Sequence, residues 1–219
     1  MFRDRLDAAE QLARRLDRLK GHQPLILAIP RGGVPMAHRL AEALDGELDV
    51  VLVRKIGAPG SPEFAIGAVS EEGEVLLDDD VASHFSPVAV EREIARQQRL
   101  IDERRQRYTP VRPPIPPEGR VVVVVDDGSA TGATMEAALR ALHGRPERLI
   151  AALGVASPSA VKRLEAWADE VVCLQVPEGF MAVGQFFADF SEVDDDEVMA
   201  LLVSAAEGRR AAPDDSTSS

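Results

Sequence analysis

The residues best suited to chemistry stand in one uninterrupted stretch, at positions 121–134. Five consecutive valines end in two carboxylates, Asp126 and Asp127, and a loop of small and hydroxyl-bearing residues follows. Five β-branched residues without alternation are typical of a strand that is buried on both faces of a parallel sheet. Because such a sheet binds ligands where its strands end, this stretch predicts a ligand site directly after a central strand.

The loop after the two acids, residues 128–134 and here called the cradle loop, has the composition of an anion site. It combines backbone N–H groups and hydroxyl groups with the N-terminus of a helix that resumes near Met135, and these groups together favour an anion. The sequence therefore predicts a bound phosphate group. An ordinary Asp-Gly turn would account for the start of the loop only. The candidate contacts are Gly128, Ser129, Ala130, Thr131, Gly132, Ala133 and Thr134.

The acid pair restricts the ligand further. Two carboxylates repel phosphate oxygens, but they accept hydrogen bonds from neighbouring sugar hydroxyls. A ribose 5-phosphate satisfies both requirements, with its phosphate in the cradle loop and its hydroxyls at Asp126 and Asp127.

This stretch resembles the motif with which type I phosphoribosyltransferases bind phosphoribosyl diphosphate (PRPP). That motif is a hydrophobic strand, two acids and the pattern Ala-Thr-Gly-x-Thr, which residues 130–134 match position by position. The resemblance implies transfer of the 5-phosphoribosyl group to a nitrogenous base, release of diphosphate, and Mg²⁺ as the cofactor. It makes Asp126, Asp127 and Lys55 the catalytic candidates, and no nucleophile is required.

A glycine pair follows the first apolar strand, within residues 29–35. Adjacent glycines let the backbone approach a ligand where a side chain would clash. The segment resembles the diphosphate-binding loop of the same family, and by that resemblance Arg31, Gly32 and Gly33 contact the diphosphate.

Two adjacent cations, Arg54 and Lys55, precede a Gly- and Pro-rich segment at 57–62. The pattern is similar to the Arg-Lys before the flexible loop of adenine-type phosphoribosyltransferases. That resemblance implies that both cations neutralise the diphosphate while a mobile loop closes over it. The residues alone are equally compatible with a solvated cap on a strand.

The segment 175–190, here called the hood segment, contains four of the seven phenylalanines of the chain. In the family the corresponding segment covers the base, so Phe180, Met181 and Val183 are expected to form a wall of the base site. Asp189 resembles a late acid near the diphosphate, where it would bind Mg²⁺ that PRPP itself mainly holds. An ordinary apolar core would also explain these phenylalanines.

The identity of the acceptor base stays open. Family members that act on 6-oxopurines usually carry an acid where this chain has Ala130, so hypoxanthine and guanine are disfavoured. A non-catalytic regulatory protein that binds PRPP or a nucleotide with the same fold is the alternative. A kinase or NTPase is disfavoured, because the sequence has no Gly-Lys-Ser/Thr phosphate loop.

Composition limits the partners and the setting. A net charge of −12 over 219 residues disfavours nucleic acid and anionic membranes as main partners. The single cysteine, Cys173, excludes an intramolecular disulfide, and we expect a cytoplasmic protein. The N-terminus is amphipathic and does not resemble a signal peptide, and no apolar run reaches membrane-spanning length.

The elements that must position these residues alternate between helices and short apolar strands. This order predicts a doubly wound, mainly parallel α/β sheet flanked by helices, with a small hood region, in one domain over residues 1–206. A polar helix at about 87–108 packs either through a narrow apolar stripe or on a partner subunit, so a homo-oligomer is left open. Strands are expected at 50–53 and in a hairpin over 65–77, and a disordered tail at 207–219.

Overall fold

The computed structural model describes residues 1–210, which form a parallel sheet, a smaller antiparallel sheet and flanking helices. The strands are β1 (Leu25–Ala28), β2 (Glu47–Val50), β3 (Val53–Ala58), β4 (Ser61–Ser70), β5 (Val75–Leu77), β6 (Val121–Ser129), β7 (Arg148–Ala156) and β8 (Glu170–Gln175). The α-helices are α1 (Arg5–Arg15), α2 (Gly33–Leu44), α3 (Asp79–Ala82), α4 (Pro87–Tyr108), α5 (Ala133–Leu142), α6 (Pro158–Leu164) and α7 (Asp195–Arg210). Short 3₁₀ turns lie at Asp17–Leu19 and Val183–Phe186.

The five-stranded sheet has the order β2-β1-β6-β7-β8, and all of its neighbours are parallel. The valine strand β6 is central, and its residues 122–125 are fully buried. Helices α1, α2 and α7 supply apolar side chains to one face, whereas α5 and α6 supply them to the other. The predicted doubly wound α/β fold is therefore confirmed. Because β1 and β6 are parallel neighbours, the glycine pair and the acid pair lie at the same sheet edge.

The antiparallel sheet β3-β4-β5 follows directly after β2. The predicted hairpin over 65–77 is confirmed by the pairing of β4 with β5. The strand predicted at 50–53 is wrong, because β2 ends at Val50 and β3 begins at Val53, in different sheets.

The segment 57–62, predicted as a mobile loop, is the end of a second hairpin. Ala58 pairs with Ser61 across a tight turn, and Gly60 in that turn has φ +81°. Proline followed by a glycine with positive φ is the combination that closes a β-turn. Here the same residues that are common in loops form a turn between two paired strands.

Helix α4 has the predicted bounds and packs within the chain. Its buried residues are Val90, Gln97, Ile101 and Tyr108, and the helix contacts β3 and β4. This packing matches the first alternative, the narrow stripe, and packing on a partner subunit stays a prediction. A polar residue, Gln97, lies within this stripe, which the sequence predicts as apolar.

A buried ionic group joins α4 to both sheets. Arg105 Nε donates to Glu71 Oε2 at 2.7 Å, and Arg105 Nη2 donates to the Val50 carbonyl oxygen at 3.0 Å. Asp49 Oδ2 accepts from the Ile115 N–H at 2.8 Å, and Arg105 Nη1 lies 3.5 Å from Asp49 Oδ1. Burial raises the pKa of Asp49 and of Glu71, and the Arg105 charge opposes the rise in both.

Helix α7 begins at Asp195 and extends to Arg210. The first four residues of the predicted tail, 207–210, are therefore helical, and the rest of that prediction lies outside the described residues. Within residues 1–210, no helix is both long enough and apolar enough to cross a membrane.

We expect Arg105→Ala to lower the free energy of unfolding by roughly 3–5 kcal/mol, because it leaves buried carboxylates without their counter-ion. The loss should shrink as the pH falls, since protonation removes the charge that Arg105 compensates. Urea denaturation at several pH values measures both effects. Arg145→Ala is the control, because Arg145 pairs with Glu72 and Glu118 at the surface, where a loss within about 1 kcal/mol is expected. Equal losses for the two variants would contradict the buried network.

Candidate functional site

The acid pair lies at the C-terminal end of β6, and its two members have different surroundings. Asp127 is buried, and its Oδ2 accepts from Arg5 Nε at 2.9 Å. Asp126 is half-buried, and its Oδ1 accepts from the Asp127 N–H at 2.9 Å. Burial raises the pKa of Asp126 well above its usual range, and the Asp127 charge adds to the rise. Burial also raises the pKa of Asp127, where the Arg5 charge opposes it.

The cradle loop connects β6 to α5 and is held by its own hydroxyl groups. Ser129 Oγ accepts from the Gly132 N–H at 3.0 Å, and Thr131 Oγ1 accepts from the Ala133 N–H at 3.4 Å. Gly132 has φ +82°, which favours glycine, and α5 begins one residue later. The first N–H groups of a helix have no acceptor within it, so the loop ends at a site suited to an anion, as the sequence predicts.

Two glycines allow the segment 29–35 to pack against the end of β6. A Cβ on Gly32 would lie 2.2 Å from Asp127 Oδ2, and a Cβ on Gly33 would lie 2.5 Å from the Val125 carbonyl oxygen. The glycine pair is therefore needed for the packing of this segment on the acid strand, whether or not a ligand is present. The Pro30–Arg31 peptide bond is cis, and Arg31 forms an ion pair with Glu192, just beyond the hood segment.

The structure separates the two cations that the sequence analysis treated as one group. Arg54 Nε donates to Gln97 Oε1 of α4 at 2.6 Å, and burial lowers the pKa of Arg54. Lys55 is exposed and, as the next residue of a strand, points to the opposite face of β3. Arg54 therefore contributes to the packing of α4, and Lys55 remains the candidate for contact with a ligand.

The hood segment is tied to the N-terminus of the chain. The Phe2 N–H donates to the Phe186 carbonyl oxygen, and the Ala188 N–H donates to the Phe2 carbonyl oxygen, both at 2.8 Å. Phe187 is buried, and its ring centroid lies 5.1 Å from that of Phe2. The core member of the aromatic cluster is thus Phe187.

The three residues predicted as the wall of a base site have different positions. Val183 contacts the cradle loop, since a Cβ on Gly128 would lie 2.8 Å from Val183 Cγ1. The ring of Phe180 lies 5.5 Å from that of Phe186. Met181 is 86% exposed. The structure brings Val183 to the predicted phosphate site and leaves Met181 at the surface.

Asp189 and Cys173 have local contacts that bear on their chemistry. Asp189 Oδ1 accepts from the Ser191 N–H at 3.0 Å. No cluster of three or more His, Cys, Asp or Glu side chains among the described residues is placed to hold a metal ion.

Cys173 Sγ contacts the Gln175 carbonyl oxygen, and burial raises the pKa of this thiol to about 11, which disfavours a nucleophile.

A cleft of about 460 Å³ lies beside the cradle loop, between the β4-β5 hairpin and the start of α5. Thr131 and Ala133 line it on the cradle side, and Ile66 lines it on the hairpin side. The antiparallel sheet therefore faces the cradle loop across an open space.

Arg5 is the residue of this site that sequence reasoning missed. It begins α1, and it reaches Asp127, which is 122 positions away in the chain. An arginine in the first turn of an amphipathic helix resembles any solvated cation, so no local pattern distinguishes it. Only the folded chain shows the contact.

Comparison with known proteins finds one matching family model, similar sequences and a similar solved structure. The model of the phosphoribosyl transferase domain matches residues 3–190. Two Mycobacterium tuberculosis proteins, from strains CDC 1551 / Oshkosh and H37Rv, have names that propose a phosphoribosyl transferase, and each is 43% identical over 206 residues. The match covers 92% of this chain and 46% of each relative, so the chain spans about half their length. The crystal structure of TT1426 from Thermus thermophilus is similar, with a TM-score of 0.80 and 51% identity over 93% of this chain and 98% of that chain.

Crystals grown in sulfate or phosphate should contain an anion bound by backbone N–H groups of the cradle loop, because this loop ends at the N-terminus of α5. The electron density checks the expectation. A cradle loop filled by its own side chains, with the anion bound elsewhere, would contradict the assignment of this loop.

Gly32→Ala should lower the free energy of unfolding by about 1–3 kcal/mol, because its methyl group would overlap Asp127 Oδ2. The backbone at this position, with φ −61°, suits alanine, so the clash is the only expected cost. Gly208→Ala is the control, since nothing lies within 4 Å of a Cβ there, and it should leave stability unchanged or raise it slightly because alanine favours the helix α7. Urea denaturation compares both variants with the wild-type protein. A Gly32→Ala variant as stable as the wild type would show that the glycine pair does not pack on the acid pair as described.

Proposed function

Since the chain belongs to the phosphoribosyltransferase family, as the match over residues 3–190 and the 43% identical relatives show, we propose that it transfers the 5-phosphoribosyl group of PRPP to a nitrogenous base. The observation that supports this proposal is the meeting of three segments at one sheet edge. These are the acid pair, the glycine pair and the cradle loop, at the ends of β1 and β6.

The cradle loop would hold the 5-phosphate through backbone N–H groups and through the N-terminus of α5. The Gly132 and Ala133 N–H groups would exchange their hydroxyl acceptors, Ser129 Oγ and Thr131 Oγ1, for phosphate oxygens. Asp126 and Asp127 would accept hydrogen bonds from the ribose hydroxyls. Departure of diphosphate leaves positive character on the ribose, as in glycoside cleavage. A fixed carboxylate pair stabilises that charge without reorganisation, because its position is set by the strand before the reaction starts.

The leaving group would lie against the backbone of residues 31–33, which the missing side chains of Gly32 and Gly33 allow to pack beside the acid pair. Arg31 and Lys55 are the cations proposed to contact it, and Arg31 would exchange its ion pair with Glu192 for the diphosphate. Mg²⁺ held mainly by PRPP would neutralise charge on the leaving diphosphate, and Asp189 is the proposed protein ligand, because carboxylate oxygens suit this ion.

The hood segment would cover the acceptor. Val183 lies against the cradle loop, and Phe180 and Met181 are the other apolar side chains offered to a base. Ala130 lacks the carboxylate that 6-oxopurine enzymes usually carry, which disfavours hypoxanthine and guanine as acceptors. The cytoplasm is the expected setting, because the chain has one cysteine and so no internal disulfide.

The decisive experiment is a screen of diphosphate release from Mg-PRPP with adenine, orotate, uracil, xanthine and small amines. Release that depends on one acceptor supports the proposed transfer. Tight PRPP binding without release for any acceptor would support a regulatory PRPP- or nucleotide-binding protein instead. Absence of PRPP binding would contradict the transfer reaction and a regulatory role that depends on PRPP, and would leave only nucleotide binding.

We expect Asp126→Asn and Asp127→Asn each to lower kcat by roughly 100-fold, because each removes charge that stabilises the transition state. PRPP affinity should fall by less than about tenfold, since the amide keeps the shape and part of the hydrogen bonding. Asp102→Asn, an exposed change on α4, is the control. Steady-state kinetics and calorimetric titration measure the two effects, and wild-type kcat in both variants would show that the acid pair is not catalytic.

A further inference from the structure

Arg5 makes three contacts within the site. Its Nε donates to Asp127 Oδ2 at 2.9 Å, and its Nη1 donates to the Ser191 carbonyl oxygen at 2.7 Å. Its Cζ lies 4.0 Å from the centroid of the Phe190 ring. One side chain from α1 thus joins the acid pair to the end of the hood segment.

The geometry suits a fixed contact. The side chains of Arg5 and Asp127 are only 12% and 11% exposed, so solvent screens their attraction weakly. A guanidinium group is planar and presents its donors in fixed directions. An ammonium group at the same place could keep the charge, but it could not make the same pair of hydrogen bonds and stack on the ring.

The glycine pair packs on the same ion pair. A Cβ on Gly32 would lie 2.2 Å from Asp127 Oδ2 and 3.4 Å from Arg5 Nη2. The segment proposed to bind diphosphate, the acid proposed to bind ribose, and the end of the segment proposed to cover the base therefore meet at one guanidinium group.

We propose that Arg5 is a positioning residue, which holds Asp127 and the Phe190–Ser191 end of the hood in one arrangement and thereby sets the acceptor relative to the ribose. The proposal rests on the proposed function. Arg5 acts through Asp127 and the hood. Its loss should therefore change the affinity for PRPP and the KM of the acceptor as well as kcat. A residue that served folding alone would lower the fraction of active molecules and leave both affinities unchanged.

The test uses the full chain with Arg5→Met and Arg5→Lys. Arg39→Met is the control, because Arg39 pairs with Glu10 and Glu42 at the surface. Calorimetric titration gives the dissociation constant of Mg-PRPP, and kinetics with the acceptor found in the screen give kcat and KM. Urea denaturation identifies conditions in which every variant is folded.

For Arg5→Met we expect kcat to fall about 100-fold, as for a misplaced reacting group, and both the PRPP dissociation constant and the acceptor KM to rise. Arg5→Lys should recover part of kcat, because its charge still pairs with Asp127. Phe190→Leu removes the ring beneath the guanidinium and leaves the ion pair, so it should raise the acceptor KM without changing PRPP affinity. If Arg5→Met does not fold, Arg5→Lys decides the question, because unchanged acceptor KM and PRPP affinity in that folded variant would contradict the positioning role.

Two outcomes overturn the proposal and leave the proposed function standing. One is a folded Arg5→Met variant with the kinetics of Arg39→Met, and the other is a loss in kcat with PRPP affinity and acceptor KM unchanged. A wild-type protein that binds PRPP without turnover still tests the inference, because unchanged PRPP affinity in Arg5→Met would overturn it. Wild-type protein that does not bind PRPP would overturn the proposed function, and this inference with it.

Discussion

Two adjacent carboxylates at the end of a buried strand are costly to keep charged. The surrounding structure offsets part of that cost with one cation and one backbone N–H group. Burial raises the pKa of both Asp126 and Asp127, and their mutual repulsion adds to the rise at Asp126. Arg5 pairs with Asp127 alone. The pair is therefore unequal, with one carboxylate held by a cation and the other supported by a backbone N–H. Gly32 packs closely on Asp127, the carboxylate that Arg5 holds.

Positive charge is scarce at this site, although the proposed ligand carries several negative charges. The chain has a net charge of −12, and many arginines are engaged in pairs elsewhere, such as Arg105 with Glu71 and Arg145 with Glu118. Arg54 is held by Gln97 of α4. In the proposed function, backbone N–H groups and a helix N-terminus would therefore provide much of the binding of the 5-phosphate, consistent with a cradle loop of small residues without a cation.

The antiparallel sheet and α4 form a second unit beside the parallel sheet. Glycine and proline are common both in mobile loops and in tight turns, so the composition of 57–62 did not distinguish the two. The pairing of Ala58 with Ser61 shows that this segment forms a tight turn between two strands. The buried contacts of Arg105 with Glu71 and Val50 then fix this unit to the edge of the main sheet, opposite the cradle loop.

The sequence by itself determined the central strand, the acid pair, the cradle loop and the glycine pair. Each is a local pattern of neighbouring residues, and in a parallel sheet the ends of neighbouring strands meet at one edge. Tertiary structure alone decided the partner of Asp127, the separation of Arg54 from Lys55, the attachment of the hood to Phe2 and the packing of α4. These depend on contacts between distant parts of the chain, as between Arg5 and Asp127 at a separation of 122 positions. A local pattern carries no information about such contacts, because they arise only when the sheet and its helices pack together.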